Sequence, residues 1–292
     1  MAGRCSRAQL MRTFLICLSL LLLQGCSAIK LGYQQLPTLS YWWLDSTISF
    51  NSEQSLRAKE ALEQLHRWHR REELTGYADF LQRSAQWSQG TVESTQVCSA
   101  LTEVQTRLDR LMREAVRQAA PVAMMLGPRQ LSHMARQWES KNEEWEKNWL
   151  RGDEQARMER RLERVVNRYS DFYGSLNAEQ NALIKAQLAQ SPWTAEWGRQ
   201  ERQRRQKDLL ATLQRVSQGQ MPVVQVENEL LNVWQRWLKP PDEAGTALMR
   251  AMSQQACNNL TQLPNTTRTE QRQRAVRRIR AYERDLRDLI LP

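Results

Sequence analysis

Glu63, His66 and His69 follow one another at steps of three, with Glu72 and Glu73 one turn further on. On a helix, Glu63-x-x-His66 has the spacing of a metal-ligand pair. A di-metal bundle needs that pair twice, from separate helices. No second Glu-x-x-His occurs, and His133 has no Glu three residues before it. Glu63, His66 and His69 are therefore the only metal candidates, and a solvated, salt-bridged helix face beside Trp68 is the plainer explanation. No Gly-x-Ser-x-Gly, phosphate loop, Cys-His arrangement or Cys-x-x-Cys is visible. No cofactor is implied. Carboxylate pairs that meet only in the fold stay open as a catalytic alternative.

The other reactive side chains are five cysteines. Arg4, Arg7 and Arg12 precede an apolar run from Phe14 to Leu23. That run is far shorter than the roughly 20 residues needed to span a membrane. A basic flank followed by a short apolar stretch reads as a secretory signal over residues 1–25. It ends in Leu23-Gln24-Gly25-Cys26, which resembles the bacterial lipobox. The resemblance implies cleavage before Cys26 and acylation of that cysteine. Ser27, rather than Asp, implies the periplasmic face of the outer membrane of a Gram-negative cell. Cys5 and Cys17 would leave with the signal. Cys98 and Cys257 would then remain as an even pair in an oxidising compartment, where a disulfide is expected.

The net charge of +10 falls to +7 without the three signal arginines. A periplasmic address argues against nucleic acid as a partner, leaving a protein client or an anionic lipid. Arg199, Arg202, Arg204 and Arg205 are the densest basic cluster. They suit either a solvated helix face or an anion-binding surface, because burying them unpaired would cost several kcal/mol each.

These residues need elements to hold them, and the elements read as helices. Val97, Leu101, Val104, Leu108, Leu111 and Ala115 recur at steps of three and four. So do Met158, Leu162, Val165, Tyr169 and Phe172, and again Ala275, Ile279, Tyr282, Leu286 and Leu289. Strand signals are nearly absent. Breaks are expected at Gly90, Pro121, Gly127-Pro128, Gly152, Gly174, Ser191-Pro192, Gly219 to Pro222, Pro240-Pro241 and Pro264. The expectation is an all-α, bundle-like array of about eight to ten helices. Residues 26–50 form a lipidated tether and aromatic segment, and residues 51–292 the helical domain. Eleven tryptophans are many for the length, serving as core anchors or as an exposed aromatic groove.

A pentad recurs: Phe50-Asn51-Ser52-Glu53-Gln54 and Leu176-Asn177-Ala178-Glu179-Gln180, with Leu126-Gly127-Pro128-Arg129-Gln130 a looser copy. Asn51, Asn177 and Thr267 are expected N-caps, with a Gln or Glu three residues on reaching back to the cap. The pattern resembles the Leu-Thr-x-x-Gln motif of Spy-type periplasmic chaperones. Leu101-Thr102-Glu103-Val104-Gln105 spells that motif, inside an expected helix. The stretches "LGYQQLPTLSYWWLD", "LHRWHRREEL", "KNEEWEKNWL" and "ERQRRQKDLLATL", together with the lipobox, are similar to a family of Gram-negative lipoproteins of unknown function. That resemblance covers essentially the whole mature chain and implies an all-helical envelope lipoprotein with no assigned reaction. The functional expectation is a non-catalytic interaction or chaperone-like module. The alternative is an enzyme acting on an envelope polymer through paired carboxylates.

Overall fold

The computed structural model describes residues 27–290; Cys26 and the expected signal lie outside the described residues. Twelve helices and no strand occur among the described residues. They are α1 (Ser27–Gln34), α2 (Leu36–Ile48), α3 (Ser52–Glu72), α4 (Leu74–Trp87), α5 (Ser94–Met124) and α6 (Pro128–Trp149). Then come α7 (Glu154–Tyr173), α8 (Ala178–Ala189), α9 (Ala195–Val216), α10 (Val223–Leu238), α11 (Glu243–Asn265) and α12 (Thr269–Ile290). The all-α, bundle-like expectation is met.

Most expected breaks fall between helices, but Pro121 and Pro264 do not: each sits within the final turn of its helix, α5 and α11. Proline removes one N–H from the ladder. So close to the end the helix is nearly over, and the chain stays helical only three residues past Pro121 and one past Pro264. Four junctions hold no Gly or Pro between their helices: α1–α2, α2–α3, α3–α4 and α11–α12. The α1–α2 step falls at Gln35, with Pro37 in the first turn of α2. The α3–α4 step falls at Glu73, a fully buried carboxylate paired with Arg107 at 3.4 Å and Arg110 at 3.1 Å.

The 31-residue α5 is the spine. Helices α3, α9, α10 and α11 pack along it, and α4 packs most extensively on α12. The main core gathers Val116, Ala120 and Ala123 of α5, Leu131 and Met134 of α6, Leu213 and Val216 of α9, and Val226 and Leu230 of α10. A smaller cluster joins Tyr33 of α1, Leu74 of α4 and Leu289 of α12. The N-terminal half of the α5 stripe is not core, since Val104 and Leu108 are exposed. Cys98 of α5 and Cys257 of α11 stand at disulfide distance, with Cα atoms 5.2 Å apart.

The pentads begin helices as capping predicts. Asn51 Oδ1 accepts from the Gln54 N–H at 2.9 Å, and Gln54 Oε1 accepts from the Asn51 N–H at 3.0 Å. Asn177 and Gln180 repeat this at 2.8 and 3.0 Å. Thr267 is not a cap. Its hydroxyl donates to the Pro264 carbonyl, and the helix start lies one residue later, where the Arg268 N–H donates to Gln271 Oε1 at 3.0 Å.

Candidate functional site

Helix α2 ends beside α3, α5, α6 and α10, and the space between them is not filled. The reason is visible in the residue types. Helix α5 presents Ala115, Ala119 and Ala123 to this space, one helical repeat apart, and α3 presents Ala58 and Ala61. Methyl groups at these five positions leave room that larger side chains would occupy. The result is an open cleft of about 340 Å³. Its walls include Leu62 and Leu65 of α3, Met112 of α5, Trp138 of α6, and Trp234 and Trp237 of α10. Trp43 of α2 stands at the rim, 67% exposed, and Leu44 and Ile48 on the same helix turn inward. Thr47 and Gln118 are the only polar residues on the lining apart from the indole N–H groups, and no ionisable side chain lines it. Within the expected aromatic segment, residues 36–48 form one wall of the cleft.

The two indoles of α10 differ. Trp234 Nε1 donates to Asp109 Oδ1 at 2.7 Å, which ties α10 to α5. Trp237 Nε1 is buried and has no acceptor. A buried N–H without a partner costs on the order of 1–3 kcal/mol, so it is seldom left idle.

The arginine cluster lies next to Trp237, and the structure gives each member an internal partner. Arg204 and Arg205 both clamp Glu201, with Nε–carboxylate distances of 2.6 Å. Arg204 Nη2 also donates to the Arg236 carbonyl and Arg205 Nη2 to the Trp237 carbonyl, both at 2.8 Å. These carbonyls close α10, where the helix dipole places negative charge. Arg202 Nε donates to Asn142 Oδ1 at 2.6 Å, and Arg199 pairs with Glu146 at 3.8 Å. Burial pushes the Glu201 carboxyl upward, but the hydrogen bonds from Arg204 and Arg205 outweigh it and hold the group below the usual carboxylate range. Neither of the two expected roles, solvated face or anion dock, included this clamp on the end of α10.

Glu63, His66 and His69 do not converge as ligands. Among the described residues no group of three His, Cys, Asp or Glu is placed to hold a metal. The two histidines meet Tyr33 instead, which arrives from α1 and is 8% exposed. Its hydroxyl lies 3.0 Å from His69 Nδ1, and its ring packs on His66 with centroids 4.5 Å apart. Burial lowers the pKa of both histidines, and pushes the Tyr33 phenol up to about 12. Sequence spacing alone gave no sign of Tyr33 as the partner.

Of the tryptophans, Trp42 and Trp43 are exposed and none is fully buried. Trp145, Trp149 and Trp193 form a ring cluster with Arg161 and Arg164 over its faces. A second groove lies across Trp138 from the apolar cleft, lined by Glu139, Glu143, Glu146 and Lys207. No helix among the described residues is long and apolar enough to cross a membrane.

No curated protein and no solved structure matches the chain. Residues 46–239, which include α3, α5, α6, α9 and α10, match the pattern of one family. The chain belongs to that family, DUF6279, a family of unknown function.

Proposed function

We propose that this protein is an envelope lipoprotein, held through acylated Cys26 at the periplasmic face of the outer membrane, and that it binds rather than transforms its ligand. The observation that carries the binding half is the apolar cleft itself. Its volume of about 340 Å³ falls in the range of ligand sites, about 300–1,000 Å³. Among the described residues its lining carries no ionisable side chain, so the Thr47 hydroxyl has no acid or base beside it there to activate it. The anchoring half rests on the sequence from Arg4 to Ser27. For the enzyme alternative, acting through paired carboxylates, the cleft supplies none; Glu139, Glu143 and Glu146 line a second groove that shares Trp138 with it. A chaperone-like role would place apolar segments of a client in the cleft.

The test has two arms in a Gram-negative host. Cys26→Ser is expected to leave an unprocessed precursor that lacks acyl mass, and normal maturation of that variant overturns the anchor. A photo-crosslinker at Leu65, on the cleft wall, is expected to capture a defined species that a crosslinker at exposed Val224 does not. Equal capture at both positions overturns the cleft as the working site.

A further inference from the structure

Helices α1 and α2 form one almost unbroken rod. The Gln35 N–H donates to the Leu31 carbonyl at 3.1 Å, and the Leu39 N–H to the Gln35 carbonyl at 2.9 Å, so helical bonding runs across the step. At about 100° per residue, Leu31, Leu36, Leu39, Trp42 and Trp43 fall within an arc of roughly 140°. All five are exposed, from 44% at Leu36 to 67% at Trp43. The other exposed residues in 31–48 are Gly32, Gln34, Gln35, Thr38 and Ser46. None of these residues carries a charge, in a chain where 25% of residues do. The opposite side of the rod is fastened to the body. Tyr33 meets His69, the Tyr41 hydroxyl donates to Ser55 Oγ at 3.0 Å, and Leu44 and Ile48 turn into the cleft. The rod is therefore docked, with a bare apolar outer face.

We infer that this outer face lies on the lipid bilayer at the level of the headgroups. The inference rests on the reading of Cys26 as the acylated anchor and goes further by naming the surface that meets the lipid. Cys26 is the residue before Ser27, where α1 starts. Acyl chains there hold the first turn of the rod at the membrane. Trp43 then lies no further from lipid than the length of the rod to that point, roughly 25 Å at 1.5 Å per residue. A soluble partner or a second copy would also cover the face, but neither is tied to it by a covalent link.

The residue types fit that surface. Leucine suits the acyl boundary, and tryptophan the headgroup level, where the ring is in apolar surroundings and the N–H meets water. Many interfacial helices add lysine and arginine to attract anionic lipid. Here Lys30 is engaged by Asp288, so apolar area and the anchor supply the attachment. Trp43 belongs both to this face and to the rim of the cleft, which brings the rim beside the lipid.

The test uses the full mature protein, purified with its acyl groups, in nanodiscs of phosphatidylethanolamine and phosphatidylglycerol. Part of the lipid carries bromine, either just beneath the headgroup or deep in the acyl chain. Tryptophan emission is expected to be quenched, more strongly by the shallow bromine. Trp42→Phe/Trp43→Phe is expected to lose most of that quenching, because the indoles of the face are gone. Leu36→Glu/Leu39→Glu keeps both indoles and is expected to reduce quenching about threefold, since a carboxylate resists leaving water. Val223→Glu/Val224→Glu, exposed at the start of α10, is expected to change nothing. Circular dichroism checks the folding of each variant. Quenching is expected to persist at high salt, because the face has no charge to screen. Acylated protein with unquenched emission overturns the inference and keeps the anchor, as does an equal loss in the Val223/Val224 variant. A chain without acyl mass overturns the anchor and the inference with it. A photo-crosslinker at Leu39 in cells is expected to capture phospholipid. Capture of a second copy or of another protein there overturns the lipid as occupant.

Discussion

Gln54 and Gln130 close a reciprocal amide pair: Gln54 Nε2 donates to Gln130 Oε1 at 3.0 Å, and Gln130 Nε2 donates to Gln54 Oε1 at 2.6 Å. Each amide also donates to the carbonyl five residues before its partner, Gln54 to Met125 and Gln130 to Ser49. Each Oε1 also accepts the N–H that opens its own helix. Both side chains are thereby fully satisfied, as the buried Gln54 amide in particular must be. Gln180 and Gln271 repeat the arrangement, donating to Thr266 and Ser175 and to each other at 3.0 and 3.1 Å. One clasp joins the starts of α3 and α6, the other the starts of α8 and α12. Gln54→Ala and Gln130→Ala are each expected to cost about 1–3 kcal/mol, because each strands the partner's groups. The double variant is expected to cost clearly less than the sum, while Gln54→Ala with Gln180→Ala is expected to be additive. Urea unfolding of these variants together with Gln180→Ala alone measures this, and additive costs for Gln54 and Gln130 would refute the clasp.

The caps give a sharper comparison. Asn51→Ala and Asn177→Ala are each expected to lose about 1 kcal/mol of unfolding free energy. Thr267→Ala removes only a hydroxyl hydrogen bond to the Pro264 carbonyl and is expected to lose less than either. Equal losses at all three would put the helix start back at Thr267.

Reduction of the Cys98–Cys257 link is expected to lower stability by about 2–5 kcal/mol, since a long loop is released in the unfolded chain. The two residues are 159 apart in sequence. Intact-mass measurement with and without reductant, followed by thermal unfolding of Cys98→Ser, decides it; two freely alkylated thiols in the native protein would end the idea.

His66 and His69 have folded-state pKa values below the ordinary histidine value, chiefly from burial. The unfolded chain therefore takes up protons more readily than the folded one as pH drops below about 6.5. Their neutral-state stability is fully present above that pH and is lost progressively as pH falls toward the folded values. Arg70 and the second histidine push in the same direction. Thermal unfolding between pH 7.5 and 5 is expected to show a falling midpoint, shallower in His69→Asn. An unchanged slope in that variant would show that other groups govern the acid limb.

Arg205→Glu is expected to lower stability by about 2 kcal/mol, because it leaves buried Glu201 facing a second carboxylate and frees the Trp237 carbonyl. A thermal midpoint equal to wild type would mean that the guanidinium is a solvated surface group.

Local features were legible in the chain, and those requiring distant partners were not. The pentads announced their own caps because a cap needs only three or four consecutive residues. That Gln54 would meet Gln130 was invisible, since nothing in either pentad names its mate. At the last helix Thr267 looks the better cap, yet the Arg268 N–H is the one that Gln271 accepts from, so the start lies one residue later than the cap preference suggests. The Glu63-x-x-His66 spacing suggested a metal, and the actual partner came from Tyr33 on another helix. The number of tryptophans allowed for an aromatic groove, but its place was not legible: alanines at 115, 119 and 123 score as good helix formers, and only packing reveals the space they leave.

The ends of the described chain lie together. Lys30 of α1 pairs with Asp288 of α12, and Tyr33 packs on Leu289. Cys98 and Cys257 add a covalent bridge further in. A pull applied between residues 27 and 290 therefore runs through α4, α12 and the disulfide, and bypasses the 159-residue loop that holds α6, α9 and α10. Walls of the cleft built from within the loop, Trp138, Trp234 and Trp237 among them, lie outside the stretch of chain that such a pull draws taut while the bridge stays oxidised.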